Sequence, residues 1–131
     1  MSTILDINAT KSVKMDKAEN GPIAVVGMID TPSRAHILDM MESKSLKFAD
    51  RVRLVRHSLK EWSSVVDVKG APILFETEEI YIPGVGKRKL VSDACLNHLS
   101  EGAIIKISSA AVELNFETEE KEKNSVTPST Q

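Results

Sequence analysis

The stretch that most constrains this chain runs from Leu46 to Phe75. Phe48, Val52, Val55, Leu59 and Trp62 are spaced by four, three, four and three residues, so all five fall on one face of a helix. The periodicity then stops, and Val65-Val66-Asp67-Val68-Lys69-Gly70-Ala71-Pro72-Ile73-Leu74-Phe75 follows. Gly70 permits a positive φ, while Pro72 has no backbone N–H and drives Ala71 extended. The spacing predicts a helix over residues 46–62, a sharp turn near Gly70, and a return of Ile73 and Phe75 toward the face that Trp62 marks. Trp62, Gly70, Pro72 and Phe75 form the expected structural anchor, because aromatic side chains bury the most area per residue.

The 131 residues suit one domain with a modest core. Hydrophobic content is 41% and charged content 27%, ordinary for a globular protein. A net charge of −2 argues against nucleic-acid binding through a global positive field. The single cysteine, Cys95, excludes an internal disulfide and fits a reducing cytosol. No signal peptide is recognisable at the N-terminus, and no stretch approaches the roughly 18 apolar residues of a membrane span.

Ile4, Leu5 and Ile7 suggest a first strand, and Val13 with Met15 a second. Residues 17–22 contain Asn20-Gly21-Pro22 and read as a turn. The β-branched run 23–29 reads as a buried strand. Asp30-Thr31-Pro32-Ser33 reads as a helix start, with Ala35, Leu38, Met41 and Met40 as its apolar face. Ser43-Lys44-Ser45 either breaks that helix or lies within a longer one. Residues 87–99 have helical spacing, with Leu90, Val91, Ala94, Cys95 and Leu99 inward, and residues 103–116 resume it with Ile104, Ile107, Ala111 and Leu114. The fold class expected is α+β: a small N-terminal antiparallel sheet followed by a mainly helical C-terminal part. Residues 1–116 form the domain, and 117–131, acidic and then Ser/Thr/Pro-rich, form a disordered tail.

Residues 83–88, Pro-Gly-Val-Gly-Lys-Arg, look like the end of a phosphate-binding loop. The full pattern needs a glycine where Tyr81 stands and a hydroxyl where Arg88 stands. A surface loop is the better reading, and no cofactor is expected. His36, His57 and His98 lack metal-ligand spacing and read as helical surface histidines, so no metal is expected. Cys95 reads as a buried structural thiol, and Glu76, Glu78 and Glu79 as a solvated acidic turn. Lys44, Lys47, Arg51, Arg53, Arg56, His57 and Lys60 make the central helix basic. The bland account is a solvated face balanced by Glu42, Asp50 and Glu61; the functional account is an acidic partner surface, with Arg51, Arg53, Arg56 and Lys60 as partner-binding candidates. Arg53 and Arg56 point away from the stripe or flank it, so reversing their charge should leave the fold intact.

Val55-Arg56-His57-Ser58-Leu59-Lys60-Glu61-Trp62-Ser63-Ser64-Val65, followed by Asp67-Val68-Lys69-Gly70-Ala71-Pro72-Ile73-Leu74-Phe75, resembles the tail assembly chaperones of long-tailed, siphovirus-type bacteriophages and prophages. The Pro-Ser-Arg helix start and Asn115-Phe116 before a polar tail fit the same resemblance, which spans residues 13–116. Residues 80–89 depart from it, since the family usually runs straight into a helix there. The resemblance implies a protein that is not an enzyme and acts in the host bacterial cytoplasm. It would bind the tape-measure protein, whose long helical surface needs shielding, and recruit tail-tube subunits. A longer form made by ribosomal frameshifting is often part of that system, and self-association is left open. Another virion component, such as a head–tail connector or tail terminator, is the alternative. A small nucleic-acid-binding regulator using residues 44–60 is a more distant one.

Overall fold

The computed structural model describes residues 7–41 and 46–116. The strand expected at Ile4 and Leu5, the break at 43–45 and the tail at 117–131 lie outside the described residues; Ile7 is an exposed turn residue. The elements in order are β1 (Thr10–Lys14), β2 (Ile23–Gly27), α1 (Thr31–Met40), α2 (Phe48–Ser58), β3 (Leu59–Ser63), β4 (Thr77–Ile82), β5 (Gly86–Val91), α3 (Asp93–Leu96) and α4 (Glu101–Asn115). The architecture is α+β, an N-terminal antiparallel sheet followed by helices.

β1, β2 and β3 form a three-stranded antiparallel sheet in that spatial order. Val13 faces Ala24, and Val26 faces Leu59, so these side chains share the inner face. They pack with Val55 of α2 and with Ala103, Ile104, Ile107 and Ala110 of α4. A smaller cluster of Ile29, Ile37, Leu54 and Ala111 joins α1, α2 and α4. Asn115 closes the end of α4. Its Nδ2 donates to the Gly27 and Ala111 carbonyls at 3.2 and 3.0 Å, and its Oδ1 accepts from the Ile29 N–H at 2.6 Å. One buried amide thus ties the last helix to the end of the central strand.

The expected helix over residues 46–62 ends at Ser58, and Trp62 lies in strand β3. The Ser58 hydroxyl donates to the Leu54 carbonyl at 2.6 Å, and Leu59 turns extended at ψ 120°. The chain passes from helix to strand with no intervening loop, so neither Gly nor Pro marks the boundary. The misleading spacing has a specific cause. Glu61 pairs with Val25 and Leu59 with Val26, leaving Lys60 as the extra residue of a β-bulge. The bulge puts Leu59 and Trp62, three apart, on one face of a strand, which is the interval a helix would give.

Residues 87–99 were expected to be helical, and here too the structure differs. Gly86–Val91 is a strand paired with Thr77–Ile82, so Thr77, Glu78 and Glu79 belong to a ladder rather than an acidic turn. The Val85 N–H donates to the Ile82 carbonyl at 2.9 Å across Pro83-Gly84, with Gly84 at φ 84°. Proline then glycine at those turn positions is the type II signature. Only the four-residue α3 remains of the expected helix, capped by the Ser92 hydroxyl oxygen, which accepts from the Cys95 N–H. α1 is capped by Asp30 as the Asp-Thr-Pro start suggests, but its inward residues are Ser33 and Ile37, while Ala35, Leu38 and Met40 are exposed.

Candidate interaction surface

The four basic candidates are scattered over different partners within the domain. The Arg51 guanidinium donates to the Ser108 and Ser109 hydroxyls of α4 at 2.9 and 3.3 Å. Arg53 pairs with Asp50 at 2.8 Å on its own helix. Arg56 pairs with Asp93 and donates to the Val91 carbonyl at 3.4 Å, joining α2 to β5 and α3. Lys60 sits in the bulge with its aliphatic stem against Gly27, where an added Cβ would meet Lys60 Cγ at 2.8 Å. The three arginines lie at 100° steps on a helix, so Arg53 and Arg56 share a side that Arg51 does not. Both arginines hold ion pairs, so reversing them has a local electrostatic cost: Arg56→Glu would set a carboxylate against Asp93, and Arg53→Glu one against Asp50.

Beside them lies a charged junction that the sequence did not disclose. Asp30 accepts from Arg88 Nε and Nη2, both at 3.1 Å, and from the Ser33 N–H and hydroxyl. Burial alone would raise the Asp30 carboxyl, but the Arg88 and Ser33 donors outweigh it and hold its pKa at about 2. His57, expected on a helical surface, is buried. Burial pushes its imidazole down to about 4; nearby Asp30 opposes that shift, while His36, Arg56 and Lys60 reinforce it. Burial likewise lowers the Lys60 ammonium, against the pull of Asp30. This junction pins the β4–β5 hairpin to the start of α1. Its forked ion pair is satisfied within the chain and joins the two elements.

The anchor residues meet as the 62–75 spacing suggests, though from a strand. The Trp62 and Phe75 rings lie edge to face, 5.5 Å apart at 78°. Trp62 Nε1 donates to the Ile73 carbonyl at 2.8 Å. Gly70 has φ 85°, and Pro72 bridges to Val66. Cys95 is buried, its sulfur accepting from the Glu76 N–H at 3.3 Å. Lys87, in the stretch resembling a phosphate loop, is a strand residue 3.8 Å from Glu79. Among the described residues, no three His, Cys, Asp or Glu side chains gather as metal ligands, and no helix is long and apolar enough to cross a membrane.

Several large apolar side chains also face outward. Leu38 and Met40 in the last turn of α1 and Phe48 at the first residue of α2 are exposed, Phe48 by 47%. Met41 and Leu46, between those helices, pack on the smaller core cluster and hold the junction down. A second group, Val66, Val68 and Leu74, projects from the 65–73 loop. Exposed large apolar residues are candidates for contact with a partner, and a contiguous patch of them marks an interaction site. Helical periodicity alone did not find the first group, because it placed Leu38 inward and Phe48 on the buried stripe. Compared with protein-family models, curated proteins and solved structures, the chain finds no match.

Proposed function

We propose that this chain is a tail assembly chaperone of a long-tailed bacteriophage or prophage, acting in the host bacterial cytoplasm by binding the tape-measure protein and recruiting tail-tube subunits. Two things support the reading: the resemblance over residues 55–75, and the outward-facing Leu38, Met40 and Phe48 at the α1–α2 junction. The second carries it. A long helical partner presents a repeating apolar stripe, and short aliphatic, methionine and aromatic side chains on a helical junction can follow it without a fixed register. Many copies along one partner then gain avidity without strong single contacts. Arg51, Arg53, Arg56 and Lys60 enter this reading as rim charges only, since three of them already hold internal partners.

The test is co-purification of the full chain with a coiled-coil tape-measure fragment, followed by mass measurement. A complex is expected, weakened about 100-fold by Phe48→Asp with Leu38→Asp, the size of effect that central interface residues produce. Raising the salt reads the basic contribution, because exposed charges are screened within about 8 Å at physiological ionic strength. Absence of a complex with every tape-measure fragment would remove the assignment and favour a connector or terminator subunit.

A further inference from the structure

The 65–73 loop is a small, stiff hairpin. The Gly70 N–H donates to the Asp67 carbonyl at 2.9 Å, closing a turn through Val68 and Lys69. The Asp67 N–H donates to the Ala71 carbonyl at 2.8 Å, and the Ile73 N–H to the Val65 carbonyl at 2.8 Å. Asp67 Oδ1 accepts from the Lys69 and Ala71 N–H groups at 2.8 and 3.0 Å. Gly70 in the left-handed region completes a type I turn with a G1 bulge. At this fixed tip stands Val68, with 103% relative exposure, while Val66 and Leu74 are exposed along the arms. A β-branched apolar residue held fully in water by a preorganised turn makes no contribution to this domain's core.

At the foot of the same hairpin lies an open groove of about 250 Å³. Met15, Pro22, Val65, Val66, Leu99 and Ala103 supply its apolar lining, and Asp16 its anion, with His98 also at its wall. The volume equals about eight waters at their liquid density, room for an aliphatic side chain and its flanking backbone. Asp16 accepts from the Ala18 N–H through Oδ1 and forms no ion pair among the described residues; nor does Lys69, next to Val68 at the tip. The tip is apolar beside a cation, and the groove is apolar beside an anion. Tip and foot are about three residues apart, roughly 10 Å at a strand's rise. Two such hairpins laid antiparallel bring each tip to the other's foot.

We propose that two copies of this chain pair about a two-fold axis by crossing their 65–73 hairpins. Each seats Val68 in the other's groove, and Lys69 meets Asp16. The arms then bring the Val66 side chains of the two copies together near the axis, while Leu74, beyond the foot, lies beside the partner's tip. A two-fold contact is self-complementary, as one patch carrying both knob and groove requires. The pairing involves no tape-measure protein, so it stands or falls apart from the chaperone reading.

Sedimentation equilibrium of the full chain alone tests this. The mass should rise with concentration from 14.4 kDa toward twice that value. Val68→Asp should weaken the dimer about 100-fold. Its circular dichroism melt should match the parent, because Val68 is fully exposed. Lys69→Ala and Asp16→Asn, the latter keeping the acceptor for Ala18, should each weaken it about threefold. The double variant should be no weaker than either single one, since one contact is lost in all three. A monomer at every concentration up to about 1 mM, a dimer indifferent to Val68→Asp, or fully additive effects of the two charge variants would each overturn the proposal.

Discussion

Two hairpins leave this domain, and they are held by opposite means. The 65–73 hairpin has one isolated bridge, Val66 to Pro72, and three backbone hydrogen bonds, and it is braced by side chains: Asp67 accepting two backbone N–H groups, and Trp62 reaching Ile73 and Phe75. The β4–β5 hairpin has six facing pairs from Thr77–Val91 to Ile82–Gly86 and takes its shape from the ladder. It is moored to the helices at Asp30–Arg88 and at Arg56. The difference teaches where each is vulnerable. Side-chain anchoring concentrates dependence in one or two residues, whereas a ladder spreads it along the strand and moves the weak point to the moorings.

Removing Trp62 should therefore be the most damaging single change. Trp62→Ala deletes the edge-to-face contact with Phe75 and the donor to Ile73, and should cost about 3 kcal/mol. Trp62→Phe keeps an aromatic ring but loses the N–H donor and part of the indole's volume, so a smaller loss of about 1–2 kcal/mol is expected. Urea unfolding measures both. A Trp62→Ala loss below about 1 kcal/mol would show that the ladder and core, not the side-chain anchor, hold this end of the molecule.

Acid should act on the other hairpin's mooring. His57 has a folded pKa near 4 against an ordinary 6.5, so the unfolded chain takes up the proton first. The stability of the neutral form is complete above about pH 6.5 and drains away toward pH 4, by up to roughly 3 kcal/mol. Asp30 works in a lower window. Its folded pKa near 2 means its contribution is present above about pH 4 and lost as pH falls through 2. At pH 5, hydrogen exchange at β5 should accelerate relative to pH 7 beyond the intrinsic rate, and His57→Gln should abolish most of that change. Equal urea midpoints at pH 7 and pH 5 would sink this account.

The sequence disclosed more of the first hairpin than of the second for a physical reason. Gly70, Pro72 and the two aromatics are local, chemically distinctive signals, and each does in the structure what its chemistry allows. The start of α1 at Asp30-Thr31-Pro32 and the inward face of α4 at Ile104, Ile107 and Ala111 were legible on the same grounds. Strand β5 was not, because Leu90 and Val91 are spaced as a helix would space them and the pairing partner lies across Pro83-Gly84. The end of α2 was hidden by a bulge that reproduces a helical interval. Asn115 carries no local signal, since two of its three bonds reach residues 86 and 88 positions away. The basic residues were legible as a set, but their bonds to Ser108, Asp93 and Val91 are made by tertiary packing, which decides whether a charge is free.

The smallest effect gives the cleanest contrast between the hairpins, because each turn contains a glycine in nearly the same state. Gly70 has φ 85° and Gly84 has φ 84°, and a Cβ at either would meet nothing within 4 Å. Alanine at either site therefore introduces backbone strain and no clash, an intrinsic cost of about 1–2 kcal/mol. The ladder resists local opening, so Gly84→Ala should show that strain in full as lost global stability. The 65–73 turn has three backbone bonds against a six-pair ladder and can shift the strain onto the Gly70–Asp67 bond alone while the Ile73–Val65 bond and Trp62 keep its base in place, so Gly70→Ala should cost less, about 0.5 kcal/mol. The relaxation should appear as faster amide exchange at Gly70 and Ala71 with little change in the urea midpoint. A Gly70→Ala loss equal to or above that of Gly84→Ala would mean that Asp67 holds its turn as firmly as a six-pair ladder holds the other.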